Sequence, residues 1–175
     1  MNMFKKKLTG FTMIELLIVM VILALLLVIG LGSFTSSQRK SRDSARKTDL
    51  QNIARALELY YNDKGSYPIY TGKNGIGTQD WGEPFVDPAN PSTLYMNLLP
   101  EDPGGGTYYY TSQDGTNFEL YANLENENDG DLNKSGSDIM VYTGTDCAIN
   151  TISTCNYGIA STNIDPSFGH ALTVE

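Results

Sequence analysis

The sequence contains little material for chemistry that depends on histidine or cysteine. Its 175 residues include one histidine, His170, and two cysteines, Cys147 and Cys155. A Ser-His pair or a multi-histidine metal centre therefore has almost nothing to be built from. The chain also has no nucleophile motif and no phosphate-binding loop. We expect no catalytic residues, and a membrane-tethered enzyme is the least favoured function.

Basic residues are scarce in the last two thirds of the chain. Residues 65–175 contain fifteen acidic side chains but only Lys73 and Lys134 as basic ones, a formal charge of −13, while the whole chain carries −8. Nucleic-acid binding needs clustered lysine and arginine, so we expect no nucleic-acid partner. Residues 65–175 are predicted to form an acidic head in contact with water.

The N-terminal part has the opposite character, because no charged residue lies between Leu16 and Leu31. A bilayer core takes about 20 helical residues, and the run predicts a transmembrane helix over residues 11–32. It is too long for the core of a secretory signal, and the small residue Gly10 precedes it. Three lysines at positions 5–7 favour a cytoplasmic N-terminus, whereas the basic cluster at residues 39–47 opposes that orientation.

Residues 5–16 read Lys-Lys-Lys-Leu-Thr-Gly-Phe-Thr-Met-Ile-Glu-Leu. A basic leader, a glycine, a phenylalanine and a glutamate four residues later precede the apolar run. This segment resembles the cleavage and methylation signal of type IV pilins and type II secretion pseudopilins. The resemblance implies that a prepilin peptidase removes residues 1–10 by cutting after Gly10 and then methylates the new amino group of Phe11.

Glu15 is the one acidic residue in the predicted membrane segment. A carboxylate there costs about 2.5–3.5 kcal/mol on insertion scales, so it normally has a partner. The resemblance implies an assembly role, in which Glu15 pairs with the Phe11 amino group of a neighbouring subunit and sets the register of a helical filament. The alternative is a solvated carboxylate near the membrane interface.

The helix is predicted to continue through residues 33–64. One face carries the i, i+3, i+4, i+7, i+11 pattern, and Lys64-Gly65 followed by Pro68 predicts its end. The basic cluster leaves three alternatives open: contact with lipid phosphates, pairing with acidic heads in a filament, or a solvated helical face. The apolar face consists of Leu50, Ile53, Ala54, Leu57 and Tyr61.

Three strand patterns follow in the head, at residues 107–111, 118–125 and 139–143, with a turn at 113–117 between the first two. Residues 67–100 are predicted as a long connection with local turns. The expected fold class is α+β and pilin-like: a long N-terminal transmembrane-plus-amphipathic helix packed on a small antiparallel sheet. Leu99-Pro-Glu-Asp-Pro103, with the first two strands, resembles the head of the major pseudopilin.

An acidic loop spans residues 126–138, and its alternating oxygen ligands are typical of calcium loops. The EF-hand pattern fails, because Lys134 replaces its glycine and Met140 its glutamate. The resembled pseudopilins carry a calcium-stabilised loop in roughly this region. Calcium is therefore the one cofactor considered, and a plain acidic loop is the alternative. The candidate ligands are Asp129, Asp131, Asn133 and Asp138, with Ser135 in the same alternation.

Cys147 and Cys155 are expected to form a disulfide, since a close pair in an exported domain is typically oxidised. Two free thiols in a reducing cytosol are the alternative.

The favoured function is a structural subunit of a type IV pilus or a type II secretion pseudopilus. Its expected partners are prepilin peptidase, copies of itself, other pilin-like subunits, an inner-membrane assembly platform and membrane lipid. The expected location is the inner membrane, single-pass, with the head outside, and later a filament on the periplasmic side or cell surface. The alternative is a membrane-anchored ligand-binding module that never polymerises, but such an anchor needs neither Gly10 nor Glu15.

Overall fold

The structure is a computed structural model that describes residues 10–148 and 154–174, with the backbone alone at residues 28–33. The chain divides into two compact units, residues 1–38 and 39–175. The described elements are the helix α1 (Met13–Lys64) and the strands β1 (Tyr70–Gly72), β2 (Gly75–Ile76), β3 (Gln79–Asp80), β4 (Phe85–Asp87), β5 (Asn90–Met96), β6 (Tyr109–Ser112), β7 (Glu119–Ala122), β8 (Lys134–Ser135), β9 (Asp138–Tyr142), β10 (Tyr157–Ala160) and β11 (Leu172–Val174).

In the first unit, the apolar side chains of residues 13–27 are exposed along the start of α1. Among the residues that the structure describes, no helix is both long and apolar enough to cross a membrane. The predicted transmembrane helix over 11–32 includes positions whose side chains lie outside the description, and it stays a prediction. Of the predicted leader, residues 1–10, only Gly10 lies within the described part.

The predicted end of the helix is confirmed, because α1 ends at Lys64. Gly65 follows with φ +74° and donates its N–H to the carbonyl of Tyr61 at 2.7 Å. A glycine in this left-handed conformation is a common way to close a helix. Pro68 then keeps the chain from continuing it.

The main sheet has four antiparallel strands in the order β1-β6-β7-β10. β6 and β7 confirm the first two predicted strands, and Tyr110 lies opposite Leu120 in their register. The turn between them is confirmed as well, with Gly115 at φ +76°. On the other edge of β7, Leu120 faces Ile159 of β10.

Two expectations about the sheet are wrong. The third predicted strand corresponds to β9, but it lies in a separate sheet of order β11-β9-β8. Residues 67–100 are not only a connection, because they contain the β4-β5 pair and also β1, which joins the main sheet. Four of the five strands in this region have two or three residues each, which is too short for a period-2 pattern to be recognised.

Both faces of the main sheet are covered. Successive side chains of a strand point to opposite faces, so Leu120 packs in the core with the helix residues Leu50, Ile53 and Leu57. Tyr121 points the other way and packs against Tyr142 and the two cysteines. The predicted apolar helix face is thus confirmed at its centre, while Tyr61 stays exposed.

Candidate functional site

The predicted cleavage position lies immediately before α1. Gly10 and Phe11 are exposed, and Phe11 retains 86% of its accessible surface. Among the described residues, and leaving out its chain neighbours, no atom lies within 4 Å of the point where a Cβ on Gly10 would stand. Packing within the described residues therefore imposes no need for glycine at this position, and no described side chain covers the peptide bond after it.

Glu15 takes part in the cap of the helix. Its Oε2 accepts the Thr12 N–H at 2.8 Å and the Thr12 hydroxyl at 2.7 Å, and the Glu15 N–H points to that hydroxyl oxygen at 3.3 Å. This reciprocal arrangement is a capping box. Among the described residues, no lysine or arginine forms a salt bridge with Glu15, so its charge is left without a cation within this part of the chain.

One face of the first turns of α1 forms an apolar groove. Its members recur at intervals of three and four residues, the spacing of a single helical face. Among the described residues, no charged side chain lines this groove. The lining residues are Met13, Leu16, Leu17, Met20, Val21 and Ala24.

Three of the five residues in the basic cluster pair with carboxylates of the head in the same chain. Arg42 bonds Glu125, Arg46 bonds Asp102, and Lys47 bonds two aspartates of the acidic loop. Arg39 and Lys40 are exposed, and neither has an ion pair within the described residues. The alternative of a fully solvated helical face is therefore wrong for these three, and their partners belong to their own subunit.

Arg46 is the centre of this network and is only 4% exposed. Its Nε and Nη2 donate to the two oxygens of Asp102 at 2.7 and 2.9 Å, and its Nη1 donates to Asp43 at 2.7 Å. Its Nη2 also lies 2.9 Å from an oxygen of Glu125. A buried charge is tolerated when every donor has a partner of opposite charge, and this guanidinium meets three carboxylates.

Asp43 links the same helix to the backbone of the head. Its two oxygens accept the N–H groups of Glu125 and Asn126 at 2.9 and 2.8 Å. The hydrogen bond from Arg42, with a smaller contribution from Arg46, lowers the pKa of Glu125 to about 2. These contacts fasten the start of the acidic loop to the helix.

Gly104 shows how closely the backbone approaches Arg46. A Cβ at this position would lie 2.2 Å from the Nη2 atom of Arg46. The N–H of Gly104 donates to Oδ1 of Asp102 at 2.7 Å, and this hydrogen bond orients the carboxylate toward the arginine. The sequence pattern did not identify Asp102 and Glu125 as partners of the helix. The glycine run after the Asp-Pro pair was the available signal for a close backbone approach.

The four candidate calcium ligands do not converge on a common centre. Asp129 and Asp131 contact the Lys47 ammonium, and the Asn133 amide points to the Tyr142 hydroxyl at 3.3 Å. Asp138 accepts the Ser137 hydroxyl at 3.2 Å. Within residues 10–148 and 154–174, no group of three or more histidine, cysteine, aspartate or glutamate side chains could hold a metal. As arranged here, the four side chains fall short of the six to eight oxygen ligands that a calcium ion takes. Calcium binding in this loop stays a prediction.

The predicted disulfide is present, and it joins Cys147 to Cys155 with Cα atoms 5.3 Å apart. Both cysteines are buried beside Tyr121 and Tyr142. The bond therefore supports the layer that covers the outer face of the main sheet. The middle of the loop that it closes, residues 149–153, lies outside the described residues.

Comparison with known proteins identifies two matching families. The model of the type II secretion system protein G matches residues 33–142, and the model of the prokaryotic N-terminal methylation motif matches residues 5–31. Together the two models cover the predicted helix and most of the head.

Several curated proteins are similar to this chain. The type II secretion system core protein G of Pseudomonas aeruginosa is 32% identical over 121 residues, which cover 67% of this chain and 84% of that protein. The protein of the same name from Vibrio cholerae is 32% identical over 115 residues, 61% of this chain and 73% of that protein. The type IV major pilin protein PilA of Myxococcus xanthus is 31% identical over 70 residues, 40% of this chain and 32% of that protein.

No solved structure shows a significant match to the chain. The family assignment rests on the sequence models and on the curated relatives. The long helix packed on antiparallel strands agrees with a pilin-like α+β fold. The protein G model matches more than half of the residues of this chain. The chain therefore belongs to the type II secretion system protein G family, whose members are structural pseudopilins.

Proposed function

We propose that a prepilin peptidase cuts this chain between Gly10 and Phe11 and methylates the Phe11 amino group. The mature chain then assembles, through its N-terminal helix, into the filament of a type II secretion pseudopilus. Its partners are copies of itself, other pilin-like subunits and an assembly platform in the inner membrane. The observation that carries the proposal is the methylation-motif match over residues 5–31, directly before and into a helix with an exposed apolar surface.

The exposure of the Gly10–Phe11 bond supports processing at this point. A peptidase must reach the scissile backbone, and this bond lies outside the helical hydrogen bonds of α1. Glycine is not required there by any neighbouring atom of the described chain. A glycine at this position would allow an enzyme to approach the backbone closely.

The uncompensated charge of Glu15 supports assembly through the new N-terminus. A carboxylate in apolar surroundings is stabilised by a cation, and the amino group of Phe11 exists only after cleavage. A neighbouring copy can supply that amino group, which couples processing to assembly. The apolar groove from Met13 to Ala24 supplies surface that a second helix can bury.

The disulfide supports an external location for the head, because such bonds persist in oxidising compartments. The proposed arrangement is a cytoplasmic N-terminus, one passage through the inner membrane, contact of the helix with lipid, and a head on the periplasmic side.

Processing is tested by mass spectrometry of the chain recovered from membranes that contain an active prepilin peptidase. We expect an N-terminus at Phe11 that carries one methyl group. The matched variant Gly10→Val should retain residues 1–10. An intact leader on the unaltered chain in these membranes contradicts the proposal.

Two substitutions separate the assembly role of Glu15 from its capping role. Glutamine keeps the capping hydrogen bonds of glutamate but carries no charge. Alanine removes both the capping hydrogen bonds and the charge. We expect Glu15→Gln and Glu15→Ala both to insert in membranes and both to fail in filament formation. Glu83→Ala, at an exposed position of the head, is the control that should assemble. Normal filaments from Glu15→Gln would contradict the proposed ion pair between Glu15 and the Phe11 amino group of a neighbouring copy.

The similarity to a type IV major pilin over 70 residues favours a second candidate, a subunit of a surface pilus. Electron microscopy with antibody to the head distinguishes the candidates. Labelled fibres on cells at natural expression indicate a pilus, whereas label confined to the periplasmic side indicates a pseudopilus. Processed chain that never sediments as fibres in either location supports the alternative of a non-polymerising binding module.

A further inference from the structure

Lys47 lies where the acidic loop, residues 126–138, meets the helix. Its Nζ atom is 2.5 Å from Oδ1 of Asp129 and 2.6 Å from Oδ2 of Asp131. The same Asp129 oxygen accepts the N–H of Asp131 at 3.0 Å, so the loop is folded around the ammonium. One cation therefore bridges the first two residues of the predicted calcium-ligand set.

The surroundings of Lys47 hold its ammonium in place. Its side chain is 21% exposed, and Nζ lies 5.6 Å from the centroid of the Tyr157 ring. Burial opposes the charged form, but the hydrogen bonds with Asp129 and Asp131 outweigh burial and raise the pKa of Lys47. The ammonium therefore stays charged across the physiological pH range.

The position of Lys47 is set by contacts one turn earlier in the helix. Asp43 accepts two N–H groups at the start of the loop, and residues four apart lie on the same helical face. The helix thus brings the lysine to the loop in a fixed register. A calcium ion at this point would compete with a covalently attached cation that is always present.

The remaining predicted ligands do not complete a metal shell. Asn133 turns its amide toward Tyr142, and Asp138 bonds Ser137. Two carboxylates and one ammonium leave a single net negative charge, which is a weak attraction for a divalent ion that must lose much of its hydration shell.

We propose that the Lys47 ammonium is the resident cation of the acidic loop and takes the place of a divalent metal ion. The loop folds onto the helix without calcium, and the head is stable in the absence of calcium. Removal of this one cation exposes a carboxylate pair that a divalent ion can then bind.

The test uses the full-length chain in detergent micelles, with thermal unfolding of the head followed in 5 mM calcium chloride and in excess chelator. We expect the Tm of the unaltered chain to be the same in both solutions. Lys47→Met is expected to lower the Tm in chelator by roughly 5 °C, and calcium should restore part of this loss. Lys73→Met is the matched control, because it breaks another lysine–aspartate pair, with Asp146; its Tm should not respond to calcium.

Two results would overturn the proposal. The first is a Tm of the unaltered chain that rises in calcium and loses this response in Asp131→Asn, a substitution at an exposed side chain. The second is a Lys47→Met variant whose Tm in chelator equals that of the unaltered chain. Terbium, a luminescent calcium analogue excited by nearby tyrosine, gives an independent readout: emission through Tyr157 is expected from Lys47→Met and not from the unaltered chain.

Discussion

The guanidinium of Arg46 donates one hydrogen bond to each carboxylate oxygen of Asp102, at 2.7 and 2.9 Å. These residues are 56 positions apart, one on α1 and the other in the segment between β5 and β6. The pair is almost fully buried and shares its arginine with Asp43 and Glu125. It therefore joins the helix to the head at a point that the apolar core does not reach.

Arg46→Met is predicted to destabilise the head by about 3–5 kcal/mol, because it leaves buried carboxylates without a counter-charge. Urea unfolding of the full-length chain in micelles measures the loss. Arg55→Gln, at an exposed position on the same helix, should change stability by no more than about 0.5 kcal/mol. Equal unfolding midpoints for Arg46→Met and the unaltered chain would show that the network is not stabilising.

Glu119 gives the head a pH-dependent stability. Its side chain is buried, with Oε2 4.0 Å from the Nε2 atom of His170. Burial raises the pKa of Glu119 from 4.5 to about 7, and a hydrogen bond with Tyr121 opposes this shift in part. The folded state thus prefers the protonated carboxyl, so this group's contribution to stability falls as pH rises from 4.5 to about 7 and is constant above that range.

The variant Glu119→Gln removes this titration. Relative to the unaltered chain, its free energy of unfolding should rise between pH 4.5 and pH 8 by at most about 3 kcal/mol. The cost of burying the glutamine amide is the same at both pH values. It therefore cancels when the difference in unfolding free energy between variant and unaltered chain at pH 4.5 is subtracted from that at pH 8. A difference for Glu119→Gln that stays constant between the two pH values would contradict the prediction.

The disulfide is predicted to stabilise the layer over the outer face of the sheet. For a bond across eight residues, loop-closure entropy contributes about 2.5 kcal/mol. The double variant Cys147→Ala/Cys155→Ala should lose about this amount in urea unfolding. Hydrogen exchange should show lower protection in β10 and unchanged protection in β6. Equal loss of protection in both strands would contradict a local effect.

Tyr108, the residue before β6, is joined to the helix by one hydrogen bond. Its buried hydroxyl donates to Oδ2 of Asp49 at 2.7 Å. Tyr108→Phe should lower the free energy of unfolding by about 1–3 kcal/mol, because the carboxylate loses its donor while partly buried. Tyr61→Phe, at an exposed position near the end of the helix, is the control and should be nearly neutral. A neutral Tyr108→Phe would show that water replaces the lost donor.

Local patterns in the sequence were enough to predict the helix and part of the sheet. Leu50, Ile53 and Leu57 recur at the helical period, and all three are completely buried. Gly65 and Pro68 marked the end of the helix, and the alternation over residues 118–125 identified β7. Each feature depends on a few adjacent residues, because backbone geometry repeats over short distances.

The short strands escaped prediction because long-range pairing alone defines them. β1 and β10 have three and four residues, and each becomes a strand by bonding to an edge of the β6-β7 pair. Neither shows a period, because β1 has only three residues and the four residues of β10 do not alternate between polar and apolar. The covering of the outer face of the sheet could not be predicted from local sequence either, because the residues that cover Tyr121 come from the last third of the chain.

The sequence by itself determined the methylation motif, the helical period with its stop signal, and the acidic character of the head. Only the tertiary structure decided that Arg46 meets Asp102 and that Lys47 meets Asp129 and Asp131. Their positions differ by 56 to 84 residues. The sequence shows how many cations and carboxylates the chain has, but not which of them lie close together. Ion pairs form only over a few ångströms, so the packing of the head on the helix determines the partners.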